Sequence, residues 1–428
     1  MHRSIHAQSF RLAGLALLML VGCLPAPTSD GPDSGGGASW PLQILSDRPA
    51  QAHTGSQFIE SEPNDTFDNA GVLDNDAAVE IRGTISTGKS PTDMDICRLR
   101  GGNAGDRVQA SLTIHNGNDL VLGLLDDQLR LLAYADPASV VNGPRVVDIV
   151  LHEATSELIA LVAARSASGT DRSYTARIEM IWGAGVLGYQ PQTIVLNFDG
   201  ATSVKIGRRS PVYVPPFDAA VIDGRLAGQT QTLRDLVVQL VREDYAGLDV
   251  AVYASGDPGI PPGGVTTVHF GTYDAGLLGL ADSIDPYNAQ SDQNAIIYTD
   301  TFSLFGVLNP SVTEYAQVLA NVASHEAGHL LGLRHTVDVH DLMDITATAR
   351  QMLFDQWFRT AALHASVLPA GYQDSPALLA WALGGSLIPP STGKIVNLQR
   401  HAAVLNDPTD FHIPRGWLGT CGLESDTP

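Results

Sequence analysis

His325, Glu326, His329 and His335 are spaced as the ligands of a metal centre and its base would be. His325 and His329 stand four residues apart, one helical turn, so both imidazoles leave the same helix face. Neutral imidazole is a favoured zinc ligand, and catalytic zinc keeps three protein ligands plus one open position. Glu326, beside the first histidine, is placed to take a proton from water activated at such a centre. Gly332 follows His329 by three residues. A glycine can adopt φ > 0, end the helix and swing the chain back, so that His335 becomes the third ligand.

A helix must present these groups, and its start is legible. Ser311-Val312-Thr313-Glu314, after Pro310, fits a capping box. Upstream, residues 193–198, 249–254, 265–270 and 295–299 read as strands, and 229–245 has helical apolar spacing. Residues 278–284 are a candidate sheet edge along a cleft, where an extended peptide could add as a strand; a plain surface loop is the other reading. Residues 373–383 read as a closing helix with Asp374 or Ser375 as cap and Pro376 in its first turn. In the interval 346–372, Trp357, Phe358 and Leu363 are expected in core packing, with pocket lining as the alternative.

The string from His325 through Gly328, His329 and Gly332 to His335 resembles the long signature of the metzincin clan of zinc proteases. The clan carries a methionine in a tight turn beneath the metal, and Asp341-Leu342-Met343-Asp344 supplies one eight residues after His335. That gap, with Thr336 after the third histidine, is most similar to the matrixin branch. The resemblance implies a zinc endopeptidase with His325, His329 and His335 on the metal, Glu326 as base and Met343 as an apolar floor. Two positions depart from the pattern. Ile345 stands where some metzincins place a tyrosine, and Asp344-Ile345 replaces the Tyr-Pro usual in matrixins. Asp95-Ile96-Cys97-Arg98 lacks the surroundings of the matrixin cysteine switch, so no thiolate latency is expected. With three ligands already supplied, His340 is expected to be a turn or supporting residue. His269, His364, His401 and His412 have no ligand spacing.

Residues 58–183 read as short strands at regular spacing, among them 120–125, 146–151, 157–163 and 174–181, which suggests an antiparallel sandwich. Glu62-Pro63-Asn64-Asp65-Thr66 with Ala70, Gly83-Thr84-Ile85, Asp93-Met94-Asp95 and Tyr174 resemble the bacterial prepeptidase C-terminal family of β-sandwich modules. Here such a module precedes the protease-like region, a departure from the usual order. Related modules in clostridial collagenases bind calcium through an acidic opening segment and a later Asp-x-Asp. The resemblance therefore makes Glu60, Glu62, Asn64, Asp65, Asp93 and Asp95 candidate calcium ligands, a role that suits hard oxygen donors. The competing reading is an Asn64-Asp65 turn and a solvated strand end at Asp93 and Asp95.

The 428 residues suffice for two or three full cores. Acidic residues number 46 against 25 basic, a net charge of -21, which argues against nucleic acid as a partner. His2, Arg3 and Arg11 precede an apolar stretch at 12–21 that is too short to span a bilayer, as in an export signal. Leu20-Val21-Gly22-Cys23 resembles a bacterial lipobox, which implies lipidation at Cys23, and Leu24 after it favours the outer membrane. An ordinary secretory signal is the alternative. Cys97 and Cys421 remain and could pair in an oxidising envelope.

The expected organisation is multidomain: a lipoprotein signal at 1–22, a Pro- and Gly-rich tether at 23–57, an antiparallel β-sandwich at 58–183, an α+β metzincin-type domain at 190–388 and a tail at 389–428. The expected partners are a peptide or protein substrate and, through the lipid, a membrane. The rival reading is a surface binding or adhesion protein with a catalytically degenerate metal domain.

Overall fold

The computed structural model describes residues 55–73, 78–86, 93–117, 119–135, 144–165, 170–388 and 412. The signal, Cys23, nearly all of the tether, Cys421 and the tail apart from His412 lie outside the described residues.

The first unit holds strands β1 (Ser56–Ile59), β2 (Gly71–Val72), β3 (Ala78–Ile85), β4 (Met94–Gly102), β5 (Arg107–Ile114), β6 (Leu120–Leu125), β7 (Leu131–Ala135), β8 (Arg145–Val150), β9 (Thr155–Ala164) and β10 (Arg172–Ile181). They form two five-stranded sheets in the orders β1-β3-β10-β5-β8 and β2-β4-β9-β6-β7. Alternate residues of β5 and β10 point inward, the period-two pattern of a half-buried strand. Val108, Ala110, Leu112, Ala176 and Ile178 meet Leu99, Leu122, Leu124, Leu158 and Ala160 in the space between the sheets. The sandwich is not wholly antiparallel, because β1 pairs with β3, and β2 with β4, in parallel. The chain alternates sheets over its first four strands, so each edge strand meets its neighbour only after a crossover, the connection that parallel pairing requires.

The second unit runs β11 (Gln192–Asn197), β12 (Ala201–Val204), β13 (Val212–Val214), α1 (Ala219–Ile222), α2 (Thr230–Asp244), β14 (Val250–Ala254), β15 (Val265–Phe270), β16 (Gly279–Ala281), β17 (Asn294–Ile297), α3 (Val312–Leu330), α4 (Ala349–Met352), β18 (Thr360–Ala362), β19 (Tyr372–Asp374) and α5 (Ser375–Leu383). Its main sheet has the order β14-β11-β15-β17-β16. All of its pairs are parallel except the edge strand β16, which runs against β17. Ile194, Leu196, Val268, Ala295 and Ile297 on one face pack on Leu233, Val237 and Val241 of α2 and on the apolar side of α3. The β12–β13 hairpin covers the other face through Val204 and Val214 against Leu280, Ile296 and Tyr298.

The two units share a third core. All six residues of β6 are buried, because the outer face of its sheet is covered as well as the inner one. Ile96, Val121, Leu125, Ile159 and Leu161 on that outer face pack on Leu363, Val367 and Leu368 of the second unit. Burying one such side chain is worth about 1.5–3 kcal/mol. His152 of the sandwich is stacked between Tyr287 and Trp381, with ring centroids 5.6 and 5.4 Å away. Burial lowers the pKa of that imidazole and favours its neutral form.

Candidate metal centre

Helix α3 begins as its sequence dictates. Ser311 accepts from the amide of Glu314, and the Glu314 carboxylate accepts from the amide of Ser311 at 2.7 Å. The helix ends at Leu330 with Leu331 as its cap, and Gly332 just beyond has φ +97. The amide of Leu333 donates to the Gly328 carbonyl at 2.9 Å, and that of Gly332 to the His329 carbonyl at 2.9 Å. This pair of bonds is a Schellman closure, which needs a left-handed residue at Gly332. A side chain there would also strike Pro286, whose Cα lies 2.8 Å from where a Cβ would sit.

The turn delivers His335 to the two helical histidines. The ring centroids of His325, His329 and His335 are 4.7, 4.8 and 5.3 Å apart. Their ligating nitrogens all lie within 4.8 Å of one another, and the Nε2 atoms of His329 and His335 are 3.1 Å apart. His325 Nδ1 faces the Leu342 carbonyl at 2.6 Å, and His329 Nδ1 faces the Leu333 carbonyl at 2.8 Å. A carbonyl only accepts, so both rings carry their proton on Nδ1 and turn a lone pair on Nε2 inward, the tautomer a metal needs. Burial, followed by the neighbouring His325 and His335, holds the pKa of His329 well below the ordinary histidine value. Three convergent imidazole nitrogens in a buried pocket fit a zinc ion.

The turn beneath the triad is built from residues 341–344. Met343 is fully buried, and a Cβ at Gly328 would lie 2.8 Å from its sulfur, so the helix and the turn meet without a spacer. Leu342 supplies the carbonyl that orients His325. The Thr336 amide donates to the Met343 carbonyl at 2.9 Å, and its hydroxyl to the buried Asp341 carboxylate at 2.7 Å. His340 stays apart from the triad and stacks on Trp357 at 6.2 Å. Phe358 and Leu363 are core residues, whereas Trp357 is half-buried.

Glu326 is fully buried on the side of α3 that faces β16. An ideal Cβ on Gly279 would lie 2.5 Å from its Oε1. Tyr298, at the end of β17, is raised to about 12 by burial, with the charge of Glu326 a smaller contributor. Sequence reasoning singled out neither Gly279 nor Tyr298, because no local motif marks a residue that matters through a partner on another element.

A second cluster lies in the sandwich. Oxygens of Glu62, Asp93 and Asp95 fall within 4.8 Å of one another. Glu60 and Asp65 surround it with oxygens engaged by protein groups: Glu60 accepts from Asn64 Nδ2 at 3.0 Å and from the Thr84 amide at 3.2 Å, and Asp65 accepts from the Met94 amide at 3.1 Å. Burial raises Asp95 to about 7, opposed by the Tyr174 hydroxyl and reinforced by Glu60. Burial also raises Asp93 to about 6, opposed by the Ser86 amide. Cys97, next along β4, is a buried thiol pushed to about 12, mainly by burial. Its candidate partner Cys421 lies outside the described residues.

No protein-family model and no curated protein matches this chain. Among solved structures, the prepeptidase C-terminal domain of a Bacillus anthracis collagenase is 14% identical at TM-score 0.21, covering 26% of this chain and 94% of that one. Archaemetzincin from Methanopyrus kandleri is 15% identical at TM-score 0.23, covering 40% of this chain and 90% of its own. The lysozyme inhibitor PliG from Aeromonas hydrophila is 9% identical at TM-score 0.19, covering 29% of this chain and 96% of its own. At these values the neighbours decide neither activity nor ligand, and the geometry of the site carries the functional reading.

Proposed function

We propose that this protein is a zinc-dependent endopeptidase, with His325, His329 and His335 as metal ligands and Glu326 as general base. The observation that carries this reading is three convergent imidazoles on and after a helix whose Glu326, next in sequence to His325, is fully buried. Zinc held by the three imidazoles would supply Lewis acidity to a scissile carbonyl and make water a stronger acid. Glu326 takes the proton of the attacking water and hands it to the departing amine, which balances the reaction. The backbones of Leu342 and Leu333 keep two ligand rings in the correct tautomer, and Met343 closes the floor without reacting. The edge strand β16 runs beside Glu326, with all three of its residues buried. A structural metal site has no use for a carboxylate placed in this way, which disfavours the binding-protein reading. Hydrolysis of denatured casein that stops with a chelator and returns with zinc supports the proposal; hydrolysis indifferent to the chelator refutes it.

A second site is proposed for a hard cation, calcium, on Glu62, Asp93 and Asp95. Its support is three convergent carboxylate oxygens and two aspartates whose ionisation burial opposes, a cost that a divalent cation offsets. An export and lipidation signal ending at Cys23 is proposed from the sequence alone. Cys23→Ser shifting the protein from the membrane to the soluble fraction supports it, and unchanged partitioning refutes it.

A further inference from the structure

We propose that the β-sandwich is part of the metal centre itself: Tyr134 and the β19 residue Gln373 hold the chain beside His335 where its imidazole completes the triad. The inference rests on the triad being a metal site. It differs from a targeting or tethering role for the sandwich.

The three ligands are not held alike. His325 and His329 are fixed by α3, which packs on the main sheet. His335 lies beyond the helix, in a segment without regular secondary structure. Contacts to both sides hold that segment. The Arg334 amide donates to Gln373 Oε1 at 2.7 Å, and Gln373 Nε2 donates back to the Arg334 carbonyl at 2.8 Å. The same Nε2 donates to Ser375 Oγ at 3.2 Å, which fixes the orientation of the amide. The His364 amide donates to the His335 carbonyl at 3.0 Å. The Arg334 guanidinium lies 4.2 Å from the ring centroid of Tyr134, on β7 of the sandwich.

The partners of His335 are in turn fastened to the sandwich. The Tyr372 amide donates to the Leu129 carbonyl at 2.9 Å, beside the Arg130–Asp374 ion pair at 3.5 Å. Leu363 and Leu368 flank His364 and sit in the core shared with Val121, Leu125 and Leu161. Gly123 of β6 leaves room for this approach, since a Cβ there would lie 2.6 Å from Leu368 Cδ2. The holds of Gln373 and His364 on the Arg334–His335 backbone thus lead to segments seated on the sandwich. Loosening that seat should release the third ligand and spare the two on α3.

The test uses the full chain with Tyr134→Ala, Tyr134→Phe and Gln373→Leu. Zinc affinity is read by competition with a chromogenic chelator, and ligand geometry by the visible spectrum of the cobalt(II) form. Hydrogen exchange of the Arg334 amide is followed in metal-free protein. Tyr134→Ala is expected to weaken zinc about three- to thirtyfold, the range of a cation–π contact. Gln373→Leu should weaken it at least about tenfold, because two backbone groups lose their partner. Both should alter the cobalt spectrum and speed exchange at Arg334, whereas Tyr134→Phe keeps the ring face and stays near wild type. Wild-type affinity, spectrum and exchange in both Tyr134→Ala and Gln373→Leu overturn the proposal. If the wild-type chain binds no zinc, the metal reading has failed; the exchange measurement then still decides whether the sandwich holds the segment.

Discussion

Gly279 and Glu326 meet so closely that a Cβ on the glycine would lie 2.5 Å from the carboxylate oxygen Oε1. The edge strand and the candidate base therefore fit only because residue 279 has no side chain. Glu326 is fully buried, so it has little room to yield. Gly279→Ala should lower kcat about ten- to a hundredfold, the scale of a misplaced catalytic group. Its zinc content should stay near wild type. Steady-state kinetics alongside metal analysis check this, and unchanged kcat would remove Gly279 from the account.

The third ligand is open to direct test against its neighbour. His335→Ala removes one of three converging nitrogens and should lose most bound zinc. His340→Ala removes a ring that stacks on Trp357 outside the cluster and should keep it. Metal analysis after exhaustive dialysis distinguishes the two. Zinc retained in His335→Ala and lost in His340→Ala would reverse the assignment.

The acidic cluster makes stability depend on pH in a stated direction. Burial raises Asp95 to about 7 and Asp93 to about 6 in the folded chain, from an ordinary value of 3.8. A carboxyl whose folded pKa is raised favours folding while it is protonated, and that contribution fades as pH climbs from about 4 through 7. Without divalent cations, the sandwich should melt lower at pH 8 than at pH 5 on account of these groups. Calcium should recover the loss, with a larger rise in Tm at pH 8 than at pH 5. Asp93→Asn with Asp95→Asn should flatten both dependences. Scanning calorimetry across this pH range provides the check, and equal calcium shifts at both pH values would count against the site.

Helix α3 was readable because its determinants are local: a capping box at Ser311, imidazoles one turn apart and a glycine able to take φ +97 at its end. Four of the five main-sheet strands were readable from their apolar runs, to within a residue or two, whereas residues 278–284 read equally as an edge or a loop. The unbroken burial of β6 was foreshadowed by its lack of alternation. That pattern reports two covered faces and says nothing of what covers the second. The seat of Leu368 against Gly123, the Gln373 clasp on Arg334 and the stack of His152 between Tyr287 and Trp381 join residues far apart in sequence. No local propensity encodes such pairings. The parallel edge pairs β1–β3 and β2–β4 escaped notice for the same reason, since strand direction depends on the crossover between sheets.

The central claim is that Glu326 is a base and not a ligand. Its most direct test is Glu326→Gln in the full chain, measured for zinc content and for cleavage of a quenched fluorescent peptide that the wild-type chain cuts. Glutamine preserves the shape of the side chain and removes its capacity to take a proton. Cleavage should fall about a hundred- to ten-thousandfold, the range of general base catalysis, with close to one zinc per chain retained. Wild-type cleavage by Glu326→Gln, or loss of the metal with the carboxylate, would contradict the account.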